Sequence, residues 1–170
     1  MTAEELFERY GNGERDFIGV DLSGVILTRQ ELNGINLQEA NLCGAELLDT
    51  SLGQANLRKT LFRGANLDHT YFGSTDLSGS DLRSAYIGNT NFEGANLTGA
   101  QLREANLFEV SFDGANLAKV DMTGAYKLDV IYLEQAILNQ TIFPDGSSWE
   151  RLPDRNLWDR FYLETPEGNQ

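Results

Sequence analysis

The chain has 170 residues, 41% of them hydrophobic, which is enough for one domain with a continuous apolar core. Its formal net charge of −13 argues against direct nucleic-acid binding and against docking on anionic membranes, because both need a basic surface. With one cysteine, Cys43, no internal disulfide is possible, and we find neither a signal peptide nor a membrane-spanning apolar run. These features predict a cytoplasmic protein.

The N-terminal segment, residues 1–14, is predicted to contain a capping helix. Its Thr2-Ala-Glu-Glu5 stretch has the capping-box pattern, in which Thr and Glu side chains satisfy free backbone N–H groups at a helix start. Gly11 is typical of a helix end. The apolar side chains between these signals form one stripe: Leu6, Phe7 and Tyr10. We expect a helix over residues 3–10 that covers the first turn of the structure that follows.

Residues 15–143 carry a five-residue period. Steps of five from Phe17 to Met122 meet 22 positions, and all of them hold a large apolar residue. Two residues earlier, 20 of the 22 positions are Ala, Val, Ile, Thr or Ser. The residue in between is Asn or Asp in 13 cases, and Gly stands two residues after the central position in ten. The tripeptide Ala-Asn-Leu occurs six times.

This period fits neither an α-helix nor the alternation of a strand, and a coiled coil would need a seven-residue repeat. It fits a chain that turns a corner every five residues. The central residue, i, and the small residue at i−2 then point inward, while i−1, i+1 and i+2 face solvent. Glycine at i+2 eases the backbone at the corners. Since one turn buries little apolar surface, stability must come from stacked turns.

The period slips by one residue near its end. The next central position would be Lys127, whose charge is costly to bury. A shift of one residue restores the apolar series as Leu128, Leu133, Leu138 and Phe143. We infer one inserted residue within 123–128, which is either a tolerated insertion or a bulge with a function.

The C-terminal segment, residues 144–164, begins with the turn sequence Pro144-Asp-Gly146. An open solenoid exposes its last apolar column and strand edge, so we predict that this segment caps the last coil with one or two helical turns. The alternative is a dimerisation surface, and a monomer is favoured over a dimer through this end. Residues 165–170 are predicted to be disordered. The apolar side chains of the cap are Trp149, Leu152, Leu157, Trp158, Phe161 and Tyr162.

The A(D/N)Lxx pattern at this density resembles that of the pentapeptide-repeat proteins, a family abundant in cyanobacteria, over about residues 15–143. The resemblance implies an all-β solenoid, a right-handed quadrilateral parallel β-helix with four faces and 20 residues per coil. The body would then hold about 6.5 coils. Most members have no assigned biochemical role, and some imitate duplex DNA and bind DNA gyrase.

The residues give little support for catalysis or cofactor binding. His69 is the one histidine and falls at an exposed corner, and neither a zinc-ligand spacing nor a phosphate-binding glycine loop is present. The side of a solenoid also lacks a deep cleft that could exclude water and perturb carboxylate pKa values. We expect no enzymatic activity, no metal and no other cofactor.

One outward column, formed by residues 20 apart, contains Arg63, Arg83 and Arg103. Three stacked guanidinium groups repel one another unless nearby carboxylates compensate them. Two interpretations follow: a self-compensated charged face, or an arginine stripe that binds an acidic partner. The carboxylates close enough to compensate are Asp81, Asp121 and Glu104.

The next face carries outward apolar residues that would suit a protein partner. The candidates on this face are Ile26, Leu48, Tyr86 and Phe108, with Leu61 and Tyr71 on the faces to either side. Inside the solenoid, Phe72, Phe92 and Phe112 share one column, so their rings should stack.

The sequence therefore favours a non-catalytic interaction scaffold for an unknown protein partner. The alternative is a DNA mimic that binds gyrase or another topoisomerase. The acidity and rod shape fit a mimic, but the arginine column interrupts any anionic stripe. The repeat body is also short, and almost half of the net charge lies in the terminal segments.

Overall fold

The computed structural model describes residues 1–129, 133 and 135–149, and between Asp16 and Ile142 these residues form a four-sided solenoid. A parallel bridge recurs at every fifth residue, and up to Tyr126 each bridge joins residues 20 positions apart. Twenty residues therefore complete one coil. The bridges are isolated contacts rather than extended strands, and α1 is the one helix within the described residues. The right-handed sense of the coil stays a prediction.

Helix α1, Ala3–Gly11, covers the first coil and ends one residue later than predicted. The capping box is formed: the Glu5 N–H donates to Thr2 Oγ1 at 3.2 Å, and the Thr2 N–H donates to a Glu5 carboxylate oxygen at 2.8 Å. Leu6 is fully buried against the core. The Tyr10 hydroxyl donates to the Asn33 carbonyl at 2.9 Å, which ties the helix to the solenoid.

Four inward columns of Leu, Phe, Ile and Met form the core. All 22 predicted central residues are buried, none with more than 1% of its surface exposed. Threonines at i−2 are buried as well, and their hydroxyls donate to central-residue carbonyls of the preceding coil, for example Thr50 to Leu27 at 2.7 Å. The interior therefore accommodates small polar side chains because the backbone supplies their partners.

One inward column contains a stack of phenylalanine rings. The Phe72 and Phe92 centroids are 5.0 Å apart with ring planes 3° from parallel, and Phe92 and Phe112 are 5.4 Å apart at 7°. Phe62, in the column on the opposite side of the interior, meets Phe72 edge-on at 6.2 Å. Ring stacking adds to the free energy gained by burying these side chains.

We number the four faces from the N-terminus and define each by its first five residues. Each face also includes the five-residue segments that lie 20, 40, 60 or more residues later. Face 1 starts with residues 15–19, face 2 with 20–24, face 3 with 25–29 and face 4 with 30–34. On every face the residues at i−1, i+1 and i+2 lie outward, and they alone can form a binding surface.

The frequent Asn and Asp at i−1 have a structural cause. Backbone N–H groups at i, i+2, i−2 and i−1 are bonded to carbonyls within the solenoid, for example Leu22, Gly24, Val25 and Asn41. The N–H at i+1 has no backbone acceptor. It donates instead to the side-chain oxygen of the residue two positions earlier, at i−1. Asn41 accepts from the Cys43 N–H at 3.1 Å, and 12 of the 13 Asn and Asp residues make the same bond. These Asx turns complete the hydrogen bonding of the backbone.

The corner residue at i+2 adopts the left-handed conformation, with φ of 66° at Gly19 and 61° at Arg29. Glycine takes this conformation without the steric penalty that a Cβ imposes. The structure thereby gives the reason for the predicted preference for glycine at corners.

The one-residue slip lies after Tyr126. Tyr126 still pairs with Asn106, whereas Ile137 pairs with Asn116, a separation of 21 residues. Lys127 is exposed and has a φ of 59°. Of the predicted series after the slip, Leu128 is half-buried against the core, and Leu133, Leu138 and Phe143 are buried. The inserted residue thus lets the chain keep Lys127 outside and return its next apolar residues to the core.

The start of the C-terminal segment turns back on the last coil. The Gly146 N–H donates to the Phe143 carbonyl at 2.9 Å, Ile142 and Ser148 form an antiparallel bridge, and Trp149 packs against the core. The helical turns predicted for the rest of residues 144–164 and the disordered tail predicted for 165–170 lie outside the described residues.

The phenylalanine stack predicts the outcome of a core truncation. Phe92→Ala removes the middle ring and should lower the free energy of unfolding by about 3–5 kcal/mol, because the cavity between two rings cannot collapse fully. Phe92→Leu should cost far less, since Leu52 and Leu32 occupy the same column two and three coils earlier. Urea unfolding followed by circular dichroism measures both, and equal costs for the two variants would contradict the stacked core.

The Asx turns predict a dependence of stability on pH. Partial burial raises the pKa of Asp76, but the hydrogen bonds from Ser78 and the Arg58 guanidinium outweigh burial and hold this pKa below its ordinary value. The Ser23 N–H likewise lowers the pKa of Asp21. Because folding favours both ionised carboxylates, their stabilisation is present above the unfolded-state pKa and is lost as the pH falls through the folded-state pKa.

An Asn side chain keeps the bond to the N–H but cannot titrate. Asp76→Asn and Asp21→Asn should therefore each reduce the stability lost on acidification from pH 5 to pH 2. Unfolding free energies at these two pH values provide the measurement, and a pH dependence unchanged in both variants would contradict this role of the carboxylates.

Candidate protein-binding faces

The arginine column on face 2 is largely compensated by one carboxylate. Asp81, which is almost completely buried, accepts from Arg63 Nε at 2.5 Å and from Arg83 Nε and Nη2 at 2.8 Å each. Arg103 is 3.9 Å from Asp121, a looser ion pair. This geometry corresponds to the first sequence interpretation, a self-compensated charged face.

An open groove of about 580 Å³ runs along the three arginines. Ser84 and Glu104 also line it, and the Ser84 hydroxyl donates to a Glu104 carboxylate oxygen at 3.4 Å. Carboxylates both between and beside the guanidinium groups reduce the attraction of this groove for an anion.

The four apolar candidates lie on face 3, but they do not form one patch. Ile26 is 67% exposed at the N-terminal end of the face, whereas Leu48 is half-buried. Glu46, Asn66 and Asp68 separate these two residues from Tyr86 and Phe108 along the face.

An aromatic cluster does occupy the C-terminal half of face 3. Tyr86 is 40% exposed, Phe108 41% and Tyr126 51%, and they belong to three successive coils. The Lys127 ammonium lies 5.5 Å from the centroid of the Phe108 ring. Tyr126 was missed in the sequence, although its position 40 residues after Tyr86 places it in the same column.

Two tyrosine rings lie directly on glycine backbone. A Cβ added to Gly73 would stand 2.0 Å from the Tyr71 hydroxyl oxygen, and one added to Gly53 would stand 2.9 Å from the Tyr71 ring. A Cβ on Gly88 would come within 3.1 Å of the Tyr86 ring. These three glycines stand at i+1, not at the corners. Tyr-Phe-Gly73 and Tyr-Ile-Gly88 are the sequence signals for this packing, and they differ from the corner glycines at i+2.

The remaining candidates hold separate surface positions. Leu61 and Tyr71 are exposed on faces 2 and 4, and His69 is an exposed corner residue with a φ of 54°. Within the described ranges, no group of three or more His, Cys, Asp or Glu side chains could hold a metal ion. No helix in the same part of the chain is long and apolar enough to cross a membrane.

The sequence profile of pentapeptide repeats, in eight copies, matches residues 21–58, 45–83 and 85–124. No curated protein matches the chain significantly in sequence.

Several solved structures are similar to this one. A pentapeptide repeat protein from the cyanobacterium Cyanothece 51142 is 25% identical with a TM-score of 0.58, covering 79% of this chain and 97% of its own. A second, from Nostoc Pcc 7120, is 25% identical with a TM-score of 0.52, covering 80% and 94%. The plasmid-mediated fluoroquinolone resistance protein QnrB1 is 22% identical with a TM-score of 0.39, covering 75% and 72%, and this likeness carries no argument about function.

The compensation on face 2 predicts unequal effects for two matched substitutions. Asp81→Asn keeps the Asx turn but removes the charge that holds two arginines, so it should lower the free energy of unfolding by about 2 kcal/mol. Asp121→Asn makes the same chemical change beside the looser pair with Arg103 and should cost less than about 1 kcal/mol. Thermal and urea unfolding of the two variants measure the difference, and equal losses would contradict the role of Asp81.

Proposed function

Because this chain belongs to the pentapeptide-repeat family, we propose that it is a non-catalytic scaffold, a right-handed quadrilateral β-helix that binds a protein partner through its outward side chains. The inward residues form the core and the Asx residues complete the backbone hydrogen bonds. Binding must therefore use the remaining outward positions.

The aromatic cluster of Tyr86, Phe108 and Tyr126 carries this proposal. Tyr86, Phe108 and Tyr126 are exposed on three successive coils of one face, and exposed aromatic side chains are typical of protein interfaces, where they contribute much of the binding free energy. The rod is held by bridges at every fifth residue, so these side chains are presented without the entropic cost of ordering a loop.

The arginine column and the exposed aromatic rings disfavour the alternative, a DNA mimic that binds gyrase. The basic residues of face 2 interrupt an anionic stripe on that side of the rod, and duplex DNA offers no counterpart to exposed aromatic rings. The monomeric state and the capping role of residues 144–164 stay predictions from the sequence.

The proposal predicts that a double substitution on face 3 abolishes partner capture. The full-length protein, immobilised, should retain one or more specific proteins from an extract of its native cell. Tyr86→Ser with Phe108→Ser should lose them, because the substitution removes two exposed rings without altering the buried columns. Quantitative mass spectrometry of the retained proteins provides the measurement.

The matched control replaces exposed apolar residues elsewhere, Ile18→Ser on face 1 with Leu61→Ser on face 2. This control should retain the same proteins as the unmodified chain. Equal retention by both double variants would overturn the assignment of face 3, provided that circular dichroism shows both variants folded.

A further inference from the structure

The charges of the solenoid are divided unequally between its sides. Between residues 16 and 127, six of the eight basic residues lie on faces 1 and 2. Faces 3 and 4 carry only Arg29 and Lys127, which stand at opposite ends of the rod. The carboxylates are spread over all four faces, and those on faces 3 and 4 are Glu31, Glu46, Asp49, Asp68, Glu93, Glu109 and Asp113.

Ion pairing follows the same division. On faces 1 and 2, Arg58 lies 3.4 Å from Asp76 and Lys59 lies 3.4 Å from Glu39, in addition to the pairs of Asp81. On faces 3 and 4, the pair of Arg29 with Asp49 at 3.5 Å is the one ion pair between residues 16 and 127. Six carboxylates on this side are therefore not compensated by a neighbouring cation, and they give it a negative potential.

Exposed aromatic rings lie among these carboxylates. Tyr71 on face 4 and Tyr86 and Phe108 on face 3 belong to three successive coils, which span about 10 Å along the axis. Tyr71 and Tyr86 rest with one side on glycine backbone, so the opposite side of each ring is available for contact. The Asp68 carboxylate and the Tyr86 ring are adjacent to each other beside Gly88. A Cβ added to Gly88 would lie within 3.1 Å of both Asp68 Oδ1 and the Tyr86 ring.

Aromatic rings beside carboxylates favour cationic ligands. The ring quadrupole attracts an ammonium or guanidinium group, and carboxylates add the charge. The chain itself provides an example, since the Lys127 ammonium lies over the Phe108 ring at 5.5 Å. Nucleic acids and anionic membranes would be repelled by the same surface.

We propose that this surface of faces 3 and 4 binds a cationic segment of a protein partner, whose lysine or arginine side chains lie against the rings and carboxylates. This inference rests on the proposed scaffold function and adds the side of the rod and the chemistry of the partner to it. We call it the aromatic–carboxylate surface and define it by Asp68, Tyr71, Tyr86, Glu93, Phe108 and Asp113.

The test uses the full-length protein and two synthetic probes of about 14 residues. One is an amphipathic peptide of lysine and leucine, and the other has glutamate in place of every lysine. Fluorescence anisotropy gives the dissociation constants. The lysine peptide should bind and the glutamate peptide should not, because only the first complements the charge of the surface.

Two charge-matched double variants locate the binding. Glu93→Gln with Asp113→Asn removes two exposed carboxylates from the surface and should weaken binding of the lysine peptide by about fivefold. Asp16→Asn with Glu104→Gln removes two exposed carboxylates from faces 1 and 2 and should change the affinity by less than about twofold. Tyr86→Ser with Phe108→Ser should also weaken binding, which attraction by net charge alone would not produce.

The failures of the two proposals are distinguishable. Equal weakening by the two charge variants would show binding by net charge and would overturn this inference. Tight binding of the glutamate peptide that is lost with Tyr86 and Phe108 would overturn the cationic partner but leave face 3 as a protein-binding face. Absence of binding by either peptide would overturn the inference as well, while the capture experiment with native extract decides the scaffold function separately.

Discussion

The structure depends on the return of the chain to the same face after 20 residues. This return places each central Leu or Phe on its equivalent in the preceding coil, and it aligns the backbone N–H and carbonyl groups of successive coils. Core packing and hydrogen bonding are thus satisfied by the same geometry. Since neither is available to a single coil, the solenoid gains its stability from contacts between neighbours. The ends then need separate solutions, and α1 with its buried Leu6 is the one at the N-terminus.

Much of this architecture could be read from the sequence, because a five-residue period of apolar residues has few geometric solutions. The central positions, the column that brings Phe72, Phe92 and Phe112 together and the capping box at Thr2 all followed from local patterns. The period also located the one-residue slip to within a few residues. The structure moves the slip past Tyr126, since that residue still makes its regular bridge to Asn106.

The features that could not be predicted from the sequence are contacts between atoms of different coils. The abundance of Asn and Asp at i−1 was visible, but its cause required an account of every backbone N–H. The glycines beneath Tyr71 and Tyr86 carried a signal, yet only the packed rings show why a Cβ is excluded there. The apolar candidates on face 3 were identified by column, and the intervening Glu46 and Asn66 separate Ile26 and Leu48 from the aromatic cluster.

The outward residues divide the rod into two sides with different chemistry. Faces 1 and 2 combine basic and acidic residues into ion pairs, centred on Asp81, so their charges are largely satisfied within the chain. Faces 3 and 4 combine exposed rings with carboxylates of which, between residues 16 and 127, Asp49 alone forms an ion pair. The inward positions form the core that the family's fold requires, so features particular to this chain lie at its outward positions. The contrast between the two sides is such a feature, and the proposed surface is based on it.

The alignment of coils is the central claim, and deletion of one whole coil tests it most directly. Removal of residues 36–55 deletes 20 residues and joins Ile35 to Asn56. Asn56 is the equivalent of Asn36 one coil later, so it takes the place of Asn36 and the register is kept. The aromatic–carboxylate surface is left intact. The account predicts a folded, shorter solenoid with a cooperative thermal transition by circular dichroism. Removal of residues 36–53, two residues fewer, should lower the midpoint of that transition well below that of the 36–55 deletion, because the side chains before the junction meet the wrong columns of the coils after it. A deletion of 36–53 as well folded as that of 36–55 would contradict the account.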